Sequence, residues 1–255
     1  LLLHGSYYIA SKDLLTERSI LKISGKILKN SCDKYNSIMA YKAFLFDMNG
    51  TMIDDMAYQV KVWHKIIKNL GVAYTPEQVK AECYGKNHDF LERIFPGRFS
   101  LEEKNKLSLQ KENEYKINYK PHLKLINGLD SFLENASASK IKMAIGSAAI
   151  KDIIDFVIDG LNIRHYLDAI VSANDVAFSK PNPETFLKCA AALGIPCRDC
   201  VVFEDAPKGV EAAANAGMQC IVLTTMHTAA EFAQYKNIIG FAADFTSPVF
   251  LNLLK

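Results

Sequence analysis

The sequence predicts an α/β fold built on a doubly wound parallel sheet, with an all-helical insert close behind the first strand. Three observations carry that expectation. Short apolar runs ending in polar residues recur from residue 43 onward, stretches of helical periodicity separate the later ones, and one helical block interrupts the alternation. A strand covered on both faces is apolar throughout, and strand–helix alternation with short links marks a sheet flanked by helices.

In chain order, the first strand is AFLF, residues 43–46, which runs into Asp47 and the turn Asn49-Gly50-Thr51. Residues 55–121 hold no strand candidate. Helical periodicity is present there over 56–70, 76–84, 87–95 and 101–119, and TPEQ at 75–78 is a capping box with Pro at the first helical position. The strands KMAIGS (142–147), LDAIVSA (167–173), CVVFED (200–205) and QCIVLTT (219–225) follow. Helices are expected between them over 150–158, 183–193 and 206–216, the last closed by Gly217 as its C-cap. The expected layout is a core of residues 39–54 and 122–255 with a helical cap of residues 55–121. An insert placed there would cover the strand ends and could close over a ligand.

Residues 1–38 differ from the rest, being basic and Ser-rich. They are expected to be an extension or upstream-translated leader, helical near 14–28, with Met39 just ahead of the first strand. Their apolar start has no basic region before it and no small-residue cleavage site after it, unlike a secretory signal; Asp13, Glu17 and Asp33 argue against a transit peptide.

Composition narrows the function classes. Apolar residues make up 49% of the chain, enough for a substantial core, and a net charge of +2 without a long basic run gives no reason to expect nucleic acid. No apolar stretch approaches the ~20 residues of a membrane span. Cys197 and Cys200 form a C-x-x-C without a second pair or nearby histidines, which reads as reduced loop cysteines rather than a zinc site. A monomeric cytoplasmic protein acting on a small molecule is expected.

Four features fall at or beyond the carboxyl ends of strands: Asp47, Ser147, Lys180 and the pair Glu204–Asp205. Together they supply a carboxylate nucleophile, a hydroxyl, a cation and an acidic metal site. Mg²⁺ is held by carboxylates, waters and phosphate oxygens, which suits Asp47, Glu204 and Asp205. Lys180 and the ion would neutralise phosphoryl oxygens, held in place by backbone N–H groups near Gly50 and by the hydroxyls of Thr51 and Ser147. An aspartate can carry an acyl phosphate, dividing one displacement into two.

With DMNGT (47–51), Ser147 in AIGSAA, Lys180 in FSKPNPETF and FEDAPKGVEAA around Glu204 and Asp205, the chain from residue 41 to its C-terminus resembles the haloacid dehalogenase superfamily. Its branch that is similar to β-phosphoglucomutase, with a small helical cap, is the nearest in look. The resemblance implies a sheet order of 5-4-1-2-3. It makes Asp47 the nucleophile, has Gly50, Thr51, Ser147, Ala148 and Lys180 bind phosphate, and assigns Mg²⁺ to Asp47, Asp205 and the backbone carbonyl of Asn49, with Glu204 directly or through water.

One position departs from that family's pattern. A second aspartate, the general acid/base, normally stands where this chain has Asn49. The amide keeps the metal-binding carbonyl but cannot carry a proton, a loss of ~10²–10⁴ in rate for leaving groups that need one. Asn49 is compatible with a divergent native enzyme, with a substitution that traps an intermediate, or with a weak phosphate-binding or regulatory protein. Asn49→Asp is expected to raise turnover of alkyl phosphates at least about tenfold. In the cap, Gln59 stands where related mutases have His and His88 where they have Arg. Together with Lys86 and Lys111 these are the candidate substrate residues, although Lys111 in QKENEYK reads equally as a solvated helix-face charge. Phosphohydrolysis of a small metabolite is expected ahead of sugar phosphomutase activity. Trp63 reads as cap packing, and His122 and His165 carry no assignment.

Overall fold

Strands buried on both faces demand apolar side chains at every position, and the centre of the sheet obeys that rule. A computed structural model describes residues 41–254; the expectations for residues 1–38 and Met39 lie outside the described residues. Strand β1 (Ala43–Phe46) is buried throughout and pairs in parallel with β2 (Lys142–Gly146) and β4 (Cys200–Glu204). Strands β3 (Ala169–Val171), β5 (Gln219–Leu223) and β6 (Ile238–Ala242) complete a six-stranded parallel sheet of order β3-β2-β1-β4-β5-β6. Its first five strands follow the expected 5-4-1-2-3 order.

The sixth strand is one that the sequence did not predict. β6 lies at an edge, its burial alternates along IIGFA, and Gly240 interrupts it, so it lacks the continuous apolar run of a central strand. The closeness of Val249 to Gly240, 2.4 Å from where a Cβ would stand, shows why glycine occupies that place.

Helices α1 (Met56–Asn69), α2 (Pro76–Glu82), α3 (Asn87–Ile94) and α4 (Leu101–Tyr119) lie between β1 and α5 (Leu129–Ala138). At α2, Thr75 Oγ1 accepts from Gln78 N–H at 3.3 Å and Gln78 Oε1 from Thr75 N–H at 2.8 Å, the reciprocal pair the sequence predicts. Trp63 of α1 stacks on Phe90 of α3, with ring centroids 4.3 Å apart. α5 lies in a stretch for which the sequence predicts no element. It enters through Gly128 at φ +79° and buries Leu129, Phe132, Leu133 and Ala136.

Helices α6 (Lys151–Gly160), α7 (Glu184–Leu193) and α8 (Pro207–Asn215) fill the links from β2 to β3, β3 to β4 and β4 to β5. Gly217 follows α8 at φ +71°. One face of the sheet carries an aromatic cluster in which Phe46 stacks on Phe203 at 4.7 Å and Phe132 on Phe44 at 5.3 Å. The other buries Leu45, Val202 and Val222 against Phe186 and Val210. Among the described residues no helix is long and apolar enough to cross a membrane. Cys83, Cys189, Cys197, Cys200 and Cys220 are free thiols.

Candidate functional site

The carboxyl ends of β1, β2 and β4 open into one cavity of about 610 Å³. Asp47 follows β1 directly. Its N–H donates to the Phe203 carbonyl at 2.9 Å, so strand pairing continues one residue past β1 and fixes where the carboxylate stands. Beyond it the chain folds back sharply: Gly50 N–H donates to the Ile53 carbonyl at 2.7 Å and Met52 N–H to the Met48 carbonyl at 2.8 Å. Gly50 sits at φ +79°, and a Cβ there would lie 2.1 Å from Asp205 Oδ2. Only glycine satisfies both the left-handed turn and this close approach. Thr51 is buried, with its hydroxyl 3.5 Å from Asp205 Oδ1.

Glu204 ends β4 with both oxygens engaged. Oε2 accepts from the N–H groups of Asp205 at 2.9 Å and Ala206 at 3.0 Å, and Oε1 accepts from Lys180 Nζ at 2.7 Å. A Cβ at Gly209, in the first turn of α8, would collide with Glu204 Oε1 at 1.7 Å. Lys180 also donates to Asp47 Oδ1 at 2.6 Å, which brings together groups that the sequence places 133 residues apart. Ser147 is buried after β2. Its N–H donates to the Val171 carbonyl at 3.0 Å, and its Oγ accepts from Ala149 N–H at 3.1 Å.

Two of the three buried carboxylates, Asp47 and Glu204, thus share one ammonium, and Asp205 stands beside them without a cation of its own. Burial pushes the Asp47 carboxyl up to about 7 against the pull of Lys180, and the nearby Glu204 charge adds to the rise. Burial and the charges of Glu204 and Asp47 hold Asp205 well above the usual carboxylate range. Burial works against the charge of Lys180, yet Asp47 and Glu204 keep it above the usual lysine range.

Such a surplus of buried negative charge suits a hard divalent cation. If one bound here, Asp47 and Asp205 would be the side chains left to hold it directly, because both oxygens of Glu204 are already committed. Among the described residues no three His, Cys, Asp or Glu side chains form a complete ligand set. A cation here would complete its sphere from a main-chain carbonyl, water and ligand oxygens, the manner in which Mg²⁺ is held.

Of the residues the sequence singles out, Asp47, Asn49, Gln59, Lys111, Ser147, Ala148, Lys180, Glu204 and Asp205 line this cavity. Gly50 and Thr51 are not among the lining residues; the Gly50 N–H is spent on the Ile53 carbonyl and the Thr51 hydroxyl faces Asp205, so neither presents the phosphate donor that the sequence led us to expect. Lys86 and His88 are not among its lining residues. Lys86 turns away, its Nζ donating to the carbonyls of Val176 at 2.5 Å and Ala177 at 3.4 Å. Neither reaches the cavity as a substrate clamp would. Lys111 is 5% exposed and pairs with Glu112 at 3.1 Å, so it is no solvated surface charge. Trp63 is buried in packing on Phe90 and also lines the cavity.

Sequence reasoning missed Glu112, Asn87 and Asp55. Asn87 Nδ2 donates to Glu112 Oε1 at 2.7 Å, and both residues line the cavity. Asp55 is buried just ahead of α1, where an aspartate reads as a helix cap; its side chain makes no cap bond. Its Oδ2 instead accepts from Asn49 Nδ2 at 2.7 Å, Gln59 Nε2 at 2.8 Å and the Tyr115 hydroxyl at 2.7 Å.

Comparison with known proteins agrees with this layout. The family model for haloacid dehalogenase-like hydrolases matches residues 44–223. The fructose-1-phosphate phosphatase YqaB of Escherichia coli is 29% identical over 71% of this chain and 95% of its own. Validoxylamine A 7'-phosphate phosphatase of Streptomyces hygroscopicus is 26% identical over 76% and 91%. Among solved structures, β-phosphoglucomutase from Clostridium difficile superposes with a TM-score of 0.70 at 25% identity, covering 78% of this chain and 90% of its own. Motif order, sheet topology and the family match agree: the chain belongs to the haloacid dehalogenase-like hydrolases.

Proposed function

We propose that this protein is a Mg²⁺-dependent phosphatase of small phosphorylated metabolites, working through a phosphorylated Asp47. The observation that carries the reading is the convergence of Asp47, Lys180, Glu204 and Asp205 in one cavity that residues of the helices after β1, among them Gln59, Trp63 and Lys111, also line. The phosphatase relatives add to it.

In this mechanism the Asp47 carboxylate attacks phosphorus and the ester P–O bond breaks. An acyl phosphate forms, and water then attacks it to release inorganic phosphate and regenerate Asp47. Lys180 holds Asp47 Oδ1 in place and, with Ser147, receives the phosphoryl oxygens. Mg²⁺, held by Asp47, Asp205 and the Asn49 carbonyl, would supply further charge neutralisation at those oxygens. Lys180 organises Glu204, and Glu204 in turn anchors the amides of Asp205 and Ala206.

Residues 55–121 act as a cap that excludes water during the first step. Asn49 gives the departing oxygen no proton, so leaving groups stable as anions are favoured over alkoxides. Gln59 is committed to Asp55 and His88 stands outside the cavity lining, which favours phosphohydrolysis over a mutase. The free thiols fit a reducing compartment such as the cytoplasm.

The test is phosphate release from acetyl phosphate, p-nitrophenyl phosphate and sugar phosphates, with Mg²⁺ or with EDTA. Activity is expected with Mg²⁺, falling at least about 10³-fold in Asp47→Asn. Turnover that survives this substitution refutes the assignment of the nucleophile.

A further inference from the structure

Asn49 stands where the family pattern has an acid, and the structure shows what grips it. Its Nδ2 donates to Asp55 Oδ2 at 2.7 Å, the oxygen that also accepts from Gln59 and Tyr115. Asp55 is 0% exposed and is not among the residues lining the cavity, so it does not touch a substrate there. Asn49 is half-buried and does line the cavity. A carboxylate facing an amide accepts, which obliges the amide to turn its NH₂ toward it. The contact therefore sets the flip of Asn49 and leaves Oδ1 as the end of the amide that Asp55 does not hold, two residues from Asp47.

We propose that Asp55 is a positioning residue that locks the Asn49 amide with Oδ1 toward the reacting phosphate, and that residues 49 and 55 work as a matched amide–acid pair. The proposal rests on the reading of Asp47 as nucleophile. Oδ1 accepts a hydrogen bond from the incoming water and orients it without removing its proton. The pairing leads to a different expectation from the one drawn from the sequence alone. Asn49→Asp by itself replaces the donor in a 2.7 Å contact by a second acceptor of like charge. It breaks the contact instead of restoring an acid in working position. Exchanging the two residues, N49D/D55N, rebuilds the contact with donor and acceptor reversed.

The test compares four proteins: the unaltered chain, N49D, D55N and N49D/D55N. Thermal midpoints are measured without substrate, and turnover is measured on p-nitrophenyl phosphate and glycerol 3-phosphate. N49D is expected to melt at least about 4 °C below the unaltered chain, and adding D55N to it to recover most of that loss. In the unaltered background D55N raises no midpoint. It lowers kcat by about tenfold while KM stays within about threefold, because it frees the amide flip without touching substrate. The exchange is expected to exceed N49D at least about tenfold on glycerol 3-phosphate and much less on p-nitrophenyl phosphate, whose leaving group needs no proton.

Midpoint shifts that add independently, or an N49D enzyme that gains as much alone as in the exchange, overturn the pairing. The melting cycle decides on the pair without any activity, whereas retained turnover in Asp47→Asn strikes only the nucleophile reading.

Discussion

Lys180→Met keeps the length of the side chain and removes the one ammonium that two buried carboxylates share. Lys180 is 7% exposed, Asp47 8% and Glu204 2%, and the contacts are 2.6 and 2.7 Å. Breaking a buried ion pair by removing one partner costs about 3–5 kcal/mol. A domain of this size shifts by about 2–4 °C per kcal/mol, so the midpoint should fall by about 6–20 °C. The loss must also depend on pH with a definite sign. The Asp47 carboxyl is pushed up to about 7 in the folded chain, above the ~3.9 of an unfolded aspartate. Between those values the folded state binds the proton more tightly, so this group's contribution to stability falls as pH rises through that window. Without Lys180 the folded value climbs further and the window extends to higher pH. Melting curves in EDTA at pH 5, 6.5 and 8 should therefore show the variant's deficit growing toward pH 8. An unchanged midpoint at pH 8, or a deficit that grows toward acid, refutes the charge balance assigned to Lys180.

Other substitutions probe the frame around it. Gly50→Ala sets a Cβ 2.1 Å from Asp205 Oδ2 in a left-handed turn, so Asp205 must move; the rise in Tm on adding Mg²⁺ should shrink, and melts with and without the ion check it. His88→Ala removes a side chain outside the cavity lining and should change KM by no more than about twofold in steady-state kinetics. Trp63→Ala empties a site that is 2% exposed and stacked on Phe90, and should cost about 3–5 kcal/mol in denaturant unfolding.

The parts of this molecule legible in its sequence are those where burial writes a simple pattern. β1, β2, β4 and β5 are short apolar runs because both sheet faces are covered, and ligand sites in such sheets gather at the strand ends. That reasoning located Asp47, Ser147, Glu204 and Asp205. It could not show that Lys180, on a loop after β3, reaches both Asp47 and Glu204, because no periodicity records a contact across 133 residues. Edge strand β6 and helix α5 were missed because one is half-exposed and carries a glycine and the other is short and partly polar. α4 misled in the opposite direction: the run QKENEYK looks solvated, yet Lys111 and Glu112 are buried there against each other.

Asn49 shows most clearly what a sequence withholds. Alone, an amide in place of an acid reads as chemistry removed. The structure adds a buried aspartate six residues on, at a place where local rules assign it to capping a helix. An acid moved from a cavity wall to the layer behind it does not restore proton transfer, since it touches no substrate. It does something a solvent-facing residue could not: it selects which end of the amide faces the phosphate. Gln59 and Tyr115 hold the same oxygen from two different helices, so the orientation at position 49 depends on the cap helices remaining seated on the strand that carries Asp47. A substitution at position 49 therefore cannot be interpreted without stating what stands at position 55.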